Sequence, residues 1–562
     1  PTRRAFLSAS MAATALAAAP QPRRSGSAQL DVDFRKLVSR ADLVYTKPAP
    51  RSEAGIPVGN GRMGTLVWTT PTEMRFQINR ADVYANSCAS NSFNERNNDY
   101  CSGCAYADVD FGGTGNAPFP ESGFAQRLSV YDGLLAIEGK DVEARVFAWP
   151  ARDVVVIAVN DHRPAPAPVR VNLRMLRYQT KYFGKELATM ARDHIGVVQT
   201  RSQTAASQLF ARGDRIALTQ EFREGGFYCK SAVAVAVVGR AGTPRFPTET
   251  EVSLTISPGP GEFQILISSA ASFDPAEDVL SAALGHLDRA AAQGISSLQR
   301  DSAAWWHNFW SGAFVHLHSP DGVADFVEQN YNYYLYLMAS SSRGKLPPKF
   351  NGMIFNTGGD LRTWGAQHWF ANLSCYYEAL PAANRLDLMD PMFDMYSGAF
   401  DAFSTAARQE WGSQGIYIPE TSYFDGLEKL PDDIAAEMQD LYLLRKPWAQ
   451  RSQRFMEYSQ LKHPHSSRWN WIAKGEWIDG RLVETERGSG PFGNVSHILS
   501  TSAKIPYLYW RRYEFTLDRD WLRQRAYPML KAASEFYRNF PNLKKGADGK
   551  YHIHKVNSNE SV

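Results

Sequence analysis

A multidomain β-plus-α chain is what the sequence predicts: an N-terminal β-sandwich, a helical linker and an (α/α)6 toroid. Two changes of rhythm predict it. From about residue 43 to 258, short β-type runs alternate with turn residues and no long helical period intervenes. Near residue 274 the apolar spacing becomes helical and stays so for most of the remaining chain. A length of 562 residues fits this division, because it exceeds any ordinary single domain.

The chain opens with Thr2, Arg3 and Arg4 before Phe6, Leu7 and an Ala-rich apolar stretch to about Ala19, the layout of a twin-arginine export signal over residues 1–28. That stretch is too short to span a bilayer, and no other run reaches about 20 uninterrupted apolar residues. The mature chain is therefore expected to be periplasmic or extracellular, with no membrane partner after signal cleavage.

The sandwich is expected over residues 40–270. Its strands are read at 64–68 (GTLVW), 74–78 (MRFQI), 134–137 (LLAI), 154–158 (VVVIA), 231–238 (SAVAVAVV) and 263–267 (FQILI). Residues 86–115 are polar, Gly-rich and long, and read as a loop insertion. This loop carries Cys88, Cys101 and Cys104. One CxxC without a second pair makes no zinc site, so a single local disulfide in an oxidising compartment is expected.

Residues 271–324 read as linker helices, with a first pattern at 276–299 and a second at 301–310 (DSAAWWHNFW). The toroid is expected over 325–562, with helices at 326–340, 369–380, 386–409, 497–514 and 520–540. Only about half of the dozen helices of such a toroid fit before Val562, so it is expected to be incomplete, and a start at Pro1 rather than Met suits a partial chain. Residues 431–493 break the rhythm with basic and aromatic content and are expected to form an insertion over one mouth of the barrel, with Trp469 and Trp471 as a candidate sugar platform.

A formal charge of +3 with 21% charged residues implies neither nucleic acid nor an acidic surface as partner. The 14 Trp and 25 Tyr can stack on sugar C–H faces as well as fill cores. The 12 His contain no HExxH, and His552 and His554 alternate along an expected strand without a third ligand, so no metal and no cofactor is expected. Gly59, Asn60 and Gly61 lack the Lys and following helix of a phosphate loop and read as a tight β-turn.

Several segments, in order, resemble glycoside hydrolase family 95, which contains inverting α-L-fucosidases and related α-L-galactosidases. In the sandwich these are 53–68 (EAGIPVGNGRMGTLVW), 76–79 (FQIN), 82–84 (DVY), 127–130 (RLSV), 143–150 (EARVFAWP) and 154–157 (VVVI). Across the junction they are 334–343 (YLYLMASSSR), 346–356 (LPPKFNGMIFN), 364–365 (WG) and 390–394 (DPMFD), and at the end 527–537 (YPMLKAASEFY) and 558–561 (SNES). The resemblance implies an (α/α)6 barrel whose mouth holds the sugar, a Glu that protonates the glycosidic oxygen, and an Asp and an Asn pair that orient a water on the opposite face. Inversion asks for carboxyl groups roughly 6.5–9.5 Å apart.

By that resemblance Glu560 matches the general acid and Asn372 the second Asn of the water-positioning pair. The first Asn position holds Phe370, which can neither donate to nor accept from water. The base Asp would lie beyond Val562, so the chain as it stands is expected to be inactive. Glu420 and Asp425 lie in an aromatic loop where the family places sugar-facing residues, and His368, Trp364 and Asn356 are candidates to line the mouth. The expected function is inverting cleavage of an α-linked fucosyl or galactosyl glycoside, with an oligosaccharide or polysaccharide as partner. Two alternatives stand beside it: a related barrel enzyme of other specificity, including a phosphorylase, and a non-catalytic glycan-binding protein.

Overall fold

The computed structural model describes residues 31–89, 102–112, 117–179, 197–199, 206–224, 226–350, 352–357, 365, 367–462, 466–471, 475–479, 481–484, 490–491, 493 and 495–557. The export signal, Cys101, Trp364 and Glu560 lie outside the described residues. Among the described residues, no helix is long and apolar enough to cross a membrane.

Strands come first, as β1 (Leu43–Tyr45), β2 (Ile56–Gly59), β3 (Met63–Thr69), β4 (Glu73–Arg80), β5 (Gly103–Asp110) and β6 (Ala125–Ser129). Then follow β7 (Leu134–Glu138), β8 (Val142–Ala148), β9 (Val154–Asp161), β10 (Val169–Arg174) and a short parallel pair, β11 (Arg177–Gln179) and β12 (Val197–Gln199). The set closes with β13 (Ala206–Arg212), β14 (Arg215–Glu224), β15 (Phe227–Val238), β16 (Gly242–Thr248), β17 (Glu251–Ile256) and β18 (Gly261–Ser272). A nine-stranded sheet runs β1-β6-β7-β8-β9-β18-β15-β14-β13 and a seven-stranded sheet β16-β17-β10-β5-β4-β3-β2. All six strand runs read from sequence fall inside these strands. Val155, Ile157, Ile265 and Ile267 of one sheet share a buried core with Met74, Phe76 and Ile78 of the other, which makes the pair a sandwich.

The linker helices are α1 (Val279–Gln293) and α2 (Ile295–Ser311). Val279, Leu280, Ala283 and Leu287 of α1 lie on Phe147, Val156 and Leu266, the outward residues of the nine-stranded sheet. Helical structure continues with α3 (Val323–Ser341), then β19 (His368–Trp369), α4 (Phe370–Tyr377), α5 (Asp390–Gly398), α6 (Phe400–Trp411) and the short β20 (Thr421–Ser422). Next come α7 (Asp432–Tyr442), α8 (Gln453–Gln460), the hairpin of β21 (Gly475–Ile478) and β22 (Arg481–Glu484), and α9 (Thr501–Thr516). Last is α10, in which a π turn at Leu522–Ala526 joins Arg519–Trp521 to Tyr527–Arg538, followed by the hairpin of β23 (Leu543–Lys545) and β24 (Tyr551–Ile553). Pro528 has no N–H to donate to the preceding turn, which accounts for the widened helix at that point.

Four expectations need correction. The pattern at 386–409 is not one helix: a 3-10 turn at Leu386–Met389 leads into α5, and Ala399 (φ −91°, ψ 11°) breaks α5 from α6. The segment 431–493 is not irregular throughout, because Pro431 followed by Asp432 and Asp433 starts a regular α7 that packs on α6. The segment 86–115 is not a loop throughout, because Gly103–Asp110 forms β5 inside the seven-stranded sheet and carries Cys104. Among the described residues, Cys88 and Cys104 are free thiols, so the expected local disulfide does not join them.

The two halves meet where the 59–61 turn touches the C-terminus of α3. Gly61 N donates to Ser340 O at 2.7 Å and Arg343 N donates to Gly61 O at 2.9 Å. Asn60 Oδ1 accepts from Met63 N at 3.0 Å, closing the turn from within. A Cβ on Gly59 would stand 2.5 Å from Ser340 O, and one on Gly61, at φ +87°, would stand 2.4 Å from Arg343 Cβ. Only glycines allow this approach. Gly61→Ala should therefore lower stability by roughly 2–4 kcal/mol, from left-handed strain plus overpacking, read as a fall in urea midpoint.

Candidate functional site

The N-termini of α4 and α9 converge on one carboxylate. Strand β19 pairs antiparallel with β20, Trp369 opposite Thr421 and His368 opposite Ser422. This clamp sets Glu420 against the start of α4, where Glu420 O accepts from Phe370 N at 2.9 Å and Oε1 accepts from Ala371 N. Thr501 Oγ1, at the start of α9, donates to Glu420 Oε2 at 2.6 Å. A carboxylate at a helix N-terminus satisfies orphan donors and faces the positive end of the dipole. Glu420 is 1% exposed, so its carboxylate is occupied by helix ends.

The last described segment arrives at the same place. Asn557 N donates to His497 O at 3.1 Å and Asn557 pairs with Ile498 in a parallel bridge, so the chain leading toward residue 560 leaves from just before α9. Asn372 lies two residues into α4 on its exposed face. Phe370 is turned inward, 1% exposed, with its ring edge-on to Tyr396 at 6.2 Å.

His368, Asp425 and Asn356 lie along the seam with the sandwich. His368 Nε2 is hydrogen-bonded to Tyr84 Oη at 3.0 Å, and Lys349 Nζ stands 3.7 Å over the Tyr84 ring while donating to Val83 O at 2.7 Å. Phe424 stacks on Phe273 at 4.9 Å and meets Tyr84 at 4.4 Å. The neighbouring Asp425 accepts from Cys88 N at 3.0 Å, and burial pushes its carboxyl above the usual range. Asn356 is fully buried, with its carbonyl accepting from Asn79 Nδ2 at 2.9 Å. Among the described residues, no group of three His, Cys, Asp or Glu could hold a metal ion.

Trp469 and Trp471 are core residues and not a platform. They are 4% and 1% exposed, Trp471 stacks on Phe455 at 5.3 Å, and its Nε1 donates to Tyr442 Oη at 2.7 Å. Beside them Arg468 Nε donates to Glu410 Oε2 at 2.8 Å, a fully buried pair, while Lys462 Nζ bonds Glu428 at 2.8 Å. Sequence reasoning missed both pairs, since the partners lie 58 and 34 residues apart. It also missed Thr501, for which a signal existed: Ser500, Thr501 and Ser502 directly precede an apolar-periodic run, a helix-start signature.

With this geometry in hand, comparison with known proteins divides the chain. Residues 494–562 match the glycosyl hydrolase family 95 catalytic domain. Residues 44–221 match a different family, a domain of unknown function called DUF5703. The family 95 likeness thus rests on the C-terminal segment, and the sandwich matches elsewhere. Among solved structures, a human-microbiome protein named as a kojibiose phosphorylase is similar over 92% of this chain and 72% of its own, with TM-score 0.50 and 10% identity. A family GH92 α-mannosidase and a family GH92 inverting mannosidase of Bacteroides thetaiotaomicron align over 93% of this chain and 66% and 68% of theirs, at TM-scores of 0.34 and 0.38 and identities of 9% and 10%. No curated protein matches the chain. The chain is glycoside-hydrolase-like in its C-terminal segment, and its fold is a β-sandwich followed by a helical domain, as in the phosphorylase-named structure.

Two expectations about stability come from this region. Removing one partner of a buried ion pair strands the other, so Glu410→Gln, which takes from Arg468 its direct carboxylate partner, should cost about 3–5 kcal/mol by urea denaturation. His368 is held at about 3 by burial and by Lys349, and His497 at about 4 by burial, despite donating from Nε2 to Tyr442 O. With folded-state values lowered, the unfolded chain protonates first, so the stability these rings contribute is whole above about 6.5 and is lost as pH falls toward 4 and 3. The melting temperature should drop between pH 6.5 and 4, and His368→Gln should make that drop shallower.

Proposed function

We propose that the complete protein is an exported glycoside hydrolase that cleaves an α-linked glycoside, fucosyl or galactosyl, with inversion, using Glu560 as general acid. The observation that carries this reading is the match of residues 494–562 to the family 95 catalytic domain, in a chain whose fold places helices after a sandwich. The arrival of Asn557 beside His497 and Ile498 supports it, because it starts the chain toward Glu560 from the end of the domain where α4 and α9 converge. Asn372, two residues into α4, is then a candidate to hold the attacking water. His368, Asp425, Asn356 and Trp364 are proposed to shape the sugar-facing seam, and Glu420 to hold the helix ends around it. Export by the twin-arginine route places the activity outside the cytoplasm.

A second reading, a glycan-binding protein without hydrolysis, is favoured by one specific observation: Phe370, at the position where an amide would hold the water, is a core residue. The phosphorylase alternative differs only in the nucleophile. All three are separated by assaying the protein as encoded by its full gene on p-nitrophenyl α-L-fucoside and α-galactoside, with and without inorganic phosphate. Hydrolysis independent of phosphate is expected, and Glu560→Gln should lower kcat by roughly 10²–10⁴. Turnover only with phosphate would favour the phosphorylase, and binding without turnover the glycan-binding protein.

A further inference from the structure

The outer face of the nine-stranded sheet carries a hollow that the barrel reading does not use. Its volume is about 130 Å³, room for one sugar ring and less than the several hundred Å³ of a drug-sized site. Three adjacent strands build it. Glu143 of β8, Asn160 of β9 and Glu262 of β18 stand opposite one another in register, and Arg145, Ala158 and Gln264 form the next row on the same face. Neighbouring Cβ atoms in such rows are roughly 4.5–5.5 Å apart, so the two carboxylates flank the amide across about 10 Å. Ala158, the smallest of the set, is the floor, and Ile295 at the start of α2 is a wall. Further along the same strands α1 covers the sheet, through Phe147, Val156 and Leu266, and the hollow lies where that cover ends.

The groups around the floor are available for a ligand. Among the described residues, the side chains of Glu143, Asn160, Glu262 and Gln264 hold no partner, while Arg145 Nη1 is anchored by Gln299 Oε1 at 3.1 Å. An apolar floor and wall ringed by carboxylates, amides and a guanidinium offers both donors and acceptors around a small C–H surface. That is the complement of a sugar ring, which has C–H faces and a rim of hydroxyls. Two carboxylates against one guanidinium disfavour an acidic sugar, and Arg145 beside the row disfavours a cation.

We propose that this hollow is a second, non-catalytic site that holds one uncharged sugar ring of a polysaccharide chain against the outer face of the sandwich. It stands independently of the barrel, since no residue of the helical domain lines it. Isothermal titration calorimetry with neutral gluco-, manno- and galacto-configured hexasaccharides tests it. At least one should bind, with Kd on the order of millimolar, and its binding should weaken about tenfold in Asn160→Ala and in Glu262→Ala and disappear in Ala158→Leu, which fills the floor. The first two side chains are surface groups without partners, so an unchanged melting temperature and circular dichroism spectrum should confirm that those variants fold. Turnover of the small aryl glycosides should be the same in Asn160→Ala as in the parent. Absence of binding to all of the hexasaccharides overturns the proposal, and so does binding that survives all three variants, which would place the sugar in the barrel. Calcium binding abolished by Glu262→Ala overturns it too, by making the hollow a cation site. Failure of the aryl glycoside assay alone would count against the barrel reading and leave this one standing.

Discussion

The architecture hinges on a backbone-to-backbone contact between the 59–61 turn and the C-terminus of α3. Two hydrogen bonds cross it, from Gly61 N to Ser340 O and from Arg343 N to Gly61 O, and they require a distance that excludes any Cβ on Gly59 or Gly61. Side chains then lock the joint. Asn60 Nδ2 reaches Arg152 O at 2.9 Å, Arg62 and Arg80 both grip Asp153, and the Asp153 carboxyl is held well below the usual range by those two guanidinium groups despite its burial. Arg343 lies 3.6 Å over the Trp305 ring, with burial and the nearby Arg62 lowering it to about 9, and Trp306 stacks on Tyr336 at 4.8 Å. Sandwich, linker and first long helix of the barrel thus meet in one joint, and the seam that holds Tyr84, His368 and Asn356 inherits its geometry.

A second organising interaction lies inside the helical domain. Helix starts leave N–H groups without partners, and a buried helix start needs an acceptor. Glu420 supplies it for α4, and Thr501 ties the same carboxylate to α9. A carboxylate in an aromatic loop looks like a sugar contact when only its neighbours in sequence are visible. Its two oxygens are, however, already engaged by a backbone N–H and a hydroxyl. The candidate chemistry consequently shifts toward groups at the same end that carry no such duty, such as Asn372 on the exposed face of α4.

Where the fold was legible, the signal was local. Alternation such as Val142, Glu143, Ala144 and Arg145 marks a strand with one wet face, and the loss of that alternation at Phe147 marks the point where α1 takes over as cover. The helix start at Asp432 is marked only by Pro431 and the acidic pair after it, inside a segment whose basic and aromatic composition carries no helical period. For Trp469 and Trp471, aromatic content is the same for a sugar face and for a core. Burial alone separates the two, and burial belongs to the packed molecule. Cys88 and Cys104 are likewise close in sequence, yet Cys104 lies in β5 while Cys88 N bonds Asp425, 337 residues away, and the Cys88 thiol is pushed up by burial and by that carboxylate.

The sequence by itself determined that a sandwich precedes a helical domain, and that the C-terminal segment resembles a glycoside hydrolase. Each of these is written in short-range periodicity or in contiguous motifs. Only the tertiary structure decided which carboxylates are occupied and which stand free, because Glu420, Glu410 and Asp425 find their partners 81, 58 and 337 residues away. It alone aligned Glu143, Asn160 and Glu262 into one row. The physical reason is the same in each case: a hydrogen bond or an ion pair depends on a distance of about 3 Å in space, and a period of two or 3.6 residues along the chain says nothing about which distant strand or helix will close that distance.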